Sequence, residues 1–149
     1  MECLIYRHVK KSPIENKQIQ RVVLQTLRRV KRADDVSVHL IGDTRMKRLN
    51  TIYRSKEKTT DVLSFSAREG FQISGEQTEA GDIFISIPQI IRQAKKYEVT
   101  SKEEMIRMLV HGVLHLVGYD HMREVDAKKM FRIQEEMVRN FVTTHLLYS

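Results

Sequence analysis

Residues 101–117, SKEEMIRMLVHGVLHLV, constrain the fold more than any other stretch of the chain. Met105, Ile106, Met108, Leu109, Val110, Val113, Leu114, Leu116 and Val117 put apolar groups almost all round a helical wheel. A helix of this kind is predicted to be a central, buried element. Ser101-Lys102-Glu103-Glu104 reads as a capping box that opens it, and Gly118 suits its C-cap.

The rest of the chain supplies layers to cover that helix. Residues 2–9 read as a first strand. Ser12, Pro13 and Glu15 combine an N-cap, a proline at the first helical position and a capping-box acid, predicting a helix to about Val30. Ile19, Val22, Val23, Leu27 and Val30 share its buried face. Residues 36–41 alternate as a strand, and a short amphipathic helix follows to about Tyr53. Strands are expected over 61–65 and 81–87, separated by a polar, turn-rich loop over 68–80. Pro88 should stop the fourth strand, with a helix over about 88–97 and a last amphipathic helix over about 123–146. This order predicts an α+β domain with a mixed sheet of roughly four strands and about five helices. The 149 residues suit one such domain, which can bury roughly 70% of its unfolded surface. No disulfide scaffold is needed, and the single cysteine, Cys3, cannot form an intramolecular one.

Three of the six histidines lie in residues 111–121, HGVLHLVGYDH. His111 and His115 are four apart, hence on one helix face, one turn from each other. Two imidazoles so placed can hold one metal at about 2.0–2.1 Å each. Gly118 can reverse the chain and bring His121 to a third ligand position. Left unsatisfied in a buried setting, each imidazole would cost roughly 1–3 kcal/mol, and a metal removes that cost for all three. Three neutral imidazoles suit Zn2+ first, with nickel or copper as alternatives. Such a set leaves a coordination position open for chemistry, whereas structural zinc sites are usually closed and cysteine-rich. Asp120 stands beside His121 and suits either ligation or the orientation of a histidine.

The layout parallels the H-E-x-x-H-x-x-G-x-x-H motif of metzincin proteases, with Gly112 in place of the glutamate. The carboxylate that shuttles protons to an amine leaving group is therefore missing, which argues against peptide cleavage. Zinc alone can still lower the pKa of water to about 7. Gly112 costs about 1 kcal/mol inside a helix relative to alanine. Close approach of a neighbouring segment or of the substrate, and simple helix packing, are open explanations for it.

The formal charge is +7, and it is uneven. Arg45, Lys47, Arg48, Arg54, Lys56 and Lys58 are opposed within their stretch only by Glu57. This favours a polyanionic partner such as RNA or DNA, with a solvated basic face as the alternative. No apolar run approaches the ~20 residues of a membrane span, and Met1–Ile5 has no basic leader region. A soluble cytoplasmic protein is expected.

With these residues in hand, His111–His121 resembles the signature of the YbeY family, bacterial metal-dependent endoribonucleases that act in rRNA maturation. Tyr53-Arg54-Ser55-Lys56 followed by residues 60–65, TDVLSF, is similar to the family's Y-R-x-K and T-D-V-L-S-F. Gly81-Asp82-Ile83 is similar to its G-D-I, while Ser66 stands where the family often has proline. The resemblance implies a zincin-like α+β domain over 1–149 with zinc at His111, His115 and His121. It also implies single-stranded RNA, in particular rRNA of the small ribosomal subunit, as substrate. 16S rRNA 3′-end maturation and ribosome quality control are the implied roles. The family's arginine important for activity matches Arg54.

The expected chemistry follows. Zinc activates water and polarises a phosphoryl oxygen, and Arg54 stabilises the charge of the pentavalent transition state through a bidentate contact. Lys56, Lys58, Arg45 and Arg48 hold the flanking RNA backbone. The base is unassigned, and the RNA 2′-hydroxyl is an alternative nucleophile. Two other functions fit the same residues: a peptide or ester hydrolase, and a metal-stiffened RNA- or ribosome-binding assembly factor without catalysis.

Overall fold

The computed structural model describes residues 1–54, 60–66, 81–119 and 124–143. The polar loop expected over 68–80, and with it Lys56, Lys58, Asp120 and His121, lies outside these residues. In chain order the elements are β1 (Cys3–Arg7), α1 (Asn16–Arg29), β2 (Val36–Ile41), α2 (Asp43–Arg54), β3 (Val62–Ser66), β4 (Gly81–Ser86), α3 (Ile87–Tyr97), α4 (Ser101–Leu116) and α5 (Glu124–Thr143). This is the expected α+β arrangement of four strands and five helices.

The strands form one mixed sheet in the order β1-β2-β4-β3. β1 runs parallel to β2, and β2 parallel to β4. β3 runs antiparallel to β4, with Leu63 opposite Phe84 and Ser64 opposite Ile83. Every residue of β2 and β4 is buried, as expected for strands covered on both faces.

Side chains alternate across the sheet, and the two faces have different covers. Val36, Val38, Leu40, Ile83 and Ile85 join Ile19, Val23 and Leu27 of α1, Ile90 of α3, and Met130, Ile133 and Phe141 of α5 in the main core. α4 runs through this core with Met105, Ile106, Leu109, Val110, Val113 and Leu114 at most 1% exposed. Each such side chain contributes roughly 1.5–3 kcal/mol by leaving water. The opposite face carries Ile41, Leu63, Phe65 and Phe84, packed by Met46 and Leu49 of α2 with Tyr53 at the margin. His39 of β2 also lies on that face, stacked between Tyr6 and Phe84 at 4.9 and 4.2 Å and bonded to Asp82 at 2.9 Å.

At three helix starts the boundary is set by local hydrogen bonds and departs from expectation. α1 begins at Asn16 because the working capping box joins Glu15 and Gln18, whereas Ser12 donates its hydroxyl to the Ile14 carbonyl. α4 is capped by Thr100, whose hydroxyl accepts from the Glu103 amide at 3.0 Å. β4 ends at Ser86, which caps α3, so Pro88 sits in the first turn of that helix.

Candidate metal centre

α4 carries His111 and His115 one turn apart, as their spacing requires. Their ring centroids are 4.8 Å apart and the rings are inclined by 71°. Both are half-buried, at the edge of an otherwise buried helix. The helix ends on Gly118, whose φ of 104° is one that side-chain-bearing residues rarely adopt. The amides of Gly118 and Tyr119 donate to the carbonyls of His115 and Leu114, at 3.1 and 3.0 Å. These paired bonds make a Schellman motif, which closes the helix and turns the chain away. Tyr119 then packs against the main core. His121, the expected third ligand, follows outside the described residues. Among the described residues no group of three or more possible ligands is found.

His111 is oriented from α5. Its Nδ1 lies 2.9 Å from Oε1 of Gln134, a side chain only 7% exposed. An amide oxygen only accepts, so Nδ1 carries a proton, and in the neutral ring the lone pair is on Nε2. The amide's other end is held too: Gln134 Nε2 donates to Glu135 Oε2 at 3.2 Å. Arg107, one turn before His111 on α4, grips Glu135 with Nε to Oε2 at 2.9 Å and Nη2 to Oε1 at 3.1 Å. Hydrogen bonding from Arg107 holds the Glu135 carboxyl below the usual carboxylate range, and the same contact raises the Arg107 guanidinium further. With Nδ1 held by Gln134, Nε2 is the ring nitrogen that suits a zinc ligand, and His115 is at a spacing that can share the ion.

Gly112 faces the sheet. A Cβ there would lie 3.1 Å from Ile83 Cγ2 and 3.2 Å from Ser64 Oγ. Of the explanations open from the sequence, the geometry supports packing against a neighbouring segment, with β3 and β4 close to the helix here. The Ser64 hydroxyl uses that proximity to donate to the Gly112 carbonyl at 3.1 Å.

Arg54, the last residue of α2, approaches the same strand from the other side. Its Nη2 donates to the Ser64 carbonyl at 2.9 Å, and its guanidinium carbon lies 4.6 Å from the Phe65 ring centre. Ser64 thus links Arg54 to the helix that carries the histidines. Arg45 lies on the same sheet face, opposite α4, half-buried with its guanidinium 5.7 Å from the ring centre of Phe84, whose ring is 5.9 Å from that of Phe65. Arg48 is exposed on α2.

Sequence reasoning passed over Gln134, Glu135, Arg107 and Ser64. A signal existed for Gln134: it falls on the buried stripe of α5 among Met130, Ile133, Met137 and Phe141. A polar side chain on such a stripe requires a partner.

Known proteins are similar to this chain in sequence and fold. The family model described as endoribonuclease YbeY matches residues 5–142. The endoribonuclease YbeY of Macrococcus caseolyticus (strain JCSC5402) is 37% identical over 110 residues, covering 72% of this chain and 71% of that protein. That of Myxococcus xanthus (strain DK1622) is 42% identical over 104 residues, covering 70% of this chain but 35% of the longer relative. The solution structure of TM1509 from Thermotoga maritima superposes with a TM-score of 0.60 at 26% identity, covering 98% of this chain and 89% of that one. The chain belongs to the endoribonuclease YbeY family, hydrolases of RNA phosphodiester bonds.

Proposed function

We propose that residues 1–149 form one metal-dependent hydrolase domain that cleaves single-stranded RNA, with Zn2+ held by His111, His115 and His121. The observation that carries this reading is the inclined imidazole pair with His111 held at Nδ1 by Gln134. Bound there, zinc supplies Lewis acidity and lowers the pKa of water to about 7. Nickel or copper would suit the same imidazoles.

Arg54 is the proposed catalytic partner. Its bond to the Ser64 carbonyl and its stacking on Phe65 fix the plane of the guanidinium beside an edge strand. A fixed guanidinium meets two phosphoryl oxygens at once, and such preorganised donors favour the charge that builds on phosphorus oxygens. Arg48 on the exposed side of α2, together with Arg45, Lys56 and Lys58, would add positive potential along the approach of the RNA backbone. The role that fits these features is rRNA processing, including 16S rRNA 3′-end maturation and ribosome quality control, with the small ribosomal subunit as the partner and the cytoplasm as the location. Among the described residues no helix is long and apolar enough to cross a membrane.

The test is metal analysis of protein purified without added metal, with RNA cleavage by wild type, His115→Ala and Arg54→Ala prepared side by side. Zinc near one per chain, with both variants inactive and only His115→Ala depleted of metal, is the expected result. Full cleavage by metal-free protein would defeat the proposal. An end-group assay separates the two candidate nucleophiles, because a 2′,3′-cyclic phosphate product excludes attack by water.

A further inference from the structure

We infer that Gln134, locked by Glu135 and Arg107, is a positioning residue that sets the tautomer of His111 and thereby presents Nε2 to the metal. The inference rests on the metal reading above and adds a residue that never touches the ion.

The four side chains close a rectangle between two helices. Arg107 and His111 are one turn apart on α4, and Gln134 and Glu135 are neighbours on α5. Around it run Arg107 to Glu135 at 2.9 and 3.1 Å, Gln134 to Glu135 at 3.2 Å, and His111 to Gln134 at 2.9 Å. Each bond has one allowed direction. Guanidinium only donates and carboxylate only accepts, so Glu135 takes the amide NH2 of Gln134. The reversed amide would set its oxygen against a carboxylate oxygen, two acceptors face to face. The amide oxygen is therefore turned to His111, and only an Nδ1–H tautomer can answer it. Which imidazole nitrogen is available to a metal is decided by the hydrogen bond made at the other. The guanidinium of Arg107 is the permanently charged end from which this order is imposed. It also bonds Glu103 at 3.2 Å and Glu104 at 3.4 Å, so it is anchored along α4 as well.

Gln134→Met keeps the length and removes the acceptor, whereas Gln134→Glu keeps an acceptor. Two readouts apply: the ring 15N shifts of His111 in metal-free protein, and zinc affinity by competition with a chromophoric chelator. Wild type should show the Nδ1–H signature. Gln134→Met should lose that signature and bind zinc about 10–100-fold more weakly. Gln134→Glu should keep the Nδ1–H signature, because a carboxylate oxygen also accepts there, but at a cost in stability from a second carboxylate set against Glu135. If Gln134→Met does not fold, Glu135→Gln serves instead, since it removes the group that dictates the amide's direction; a mixture of His111 tautomers and weaker zinc binding are then expected. A folded Gln134→Met with unchanged tautomer and unchanged zinc affinity overturns the inference and leaves the metal reading standing. A wild-type protein that takes up no zinc overturns the metal reading itself.

Discussion

The Ser64 hydroxyl donates to the Gly112 carbonyl across 3.1 Å, tying the edge strand β3 to the helix that carries His111 and His115. The same serine's carbonyl accepts from Arg54. One residue therefore sets the proposed catalytic arginine and the histidine helix at a defined separation, and several outcomes follow.

Gly112→Ala should destabilise the protein by about 1 kcal/mol. The helix gains about 1 kcal/mol from alanine, but overpacking against Ile83 and Ser64 costs about 1–3 kcal/mol. Gly112→Glu, which restores the protease motif, should be far worse, because its carboxylate would enter the packed side of the helix. Urea unfolding midpoints measure both, and a Gly112→Glu protein as stable as wild type would contradict the packing role.

Arg54→Ala should retain its zinc and lose kcat by about 100–1,000-fold, the cost of removing one preorganised donor. Arg54→Lys should recover little of that loss, since an ammonium cannot reproduce a planar fork. Single-turnover cleavage of a labelled RNA, with zinc content measured on the same samples, checks both. Wild-type turnover in the lysine variant would mean that charge alone matters at this position.

Stripping zinc with a chelator should lower the melting temperature, and His111→Ala should abolish the difference between stripped and loaded protein. A ligand present at about 1,000 times its Kd stabilises by about 4 kcal/mol. Calorimetry with and without chelator reads this directly. Equal melting temperatures in wild type would place the metal elsewhere or nowhere.

Glu135 and Glu104 should respond to pH in opposite senses. Hydrogen bonds from Arg107 lower the Glu135 carboxyl from its ordinary 4.5, so its stabilisation is complete above that value and fades as pH falls through the depressed one. Burial raises the Glu104 carboxyl, so its contribution is present at low pH and is lost as pH rises through the raised value. Glu135→Gln should cost about 1–2 kcal/mol at neutral pH after solvent screening and less as pH falls through the depressed value. The cost of Glu104→Gln should instead shrink as pH rises. Unfolding curves of both variants across this range decide the matter.

Cys3 should not react with a thiol reagent in the native state. It is 5% exposed, and burial pushes its thiol up to about 12, so almost no thiolate exists at neutral pH. Labelling should follow the denaturant unfolding curve; rapid labelling of native protein would show that β1 detaches readily.

Much of the fold was legible because its signals are local. The apolar wheel of residues 105–117 placed α4 at the centre, and the four-residue spacing put His111 and His115 on one face. Gly118 closed the helix as its position suggested. Cap positions were less secure, because Ser12 and Glu15, or Thr100 and Ser101, compete within a residue or three and side-chain geometry chooses between them. The basic cluster was legible as charge but not as a surface: Arg45 lies over Phe84, while Arg54 reaches Ser64.

By itself the sequence determined the α+β class, the buried helix, the histidine pair and the excess of positive charge, since periodicity, spacing and composition act within a few residues. Only the tertiary structure decided that Gly112 is filled by Ile83 and Ser64, that Arg54 meets β3, and that Gln134 dictates which nitrogen of His111 is protonated. Those contacts join residues 10 to 48 positions apart along the chain. They exist only after the sheet and helices have docked, because a hydrogen bond has a direction that no spacing along one segment can specify.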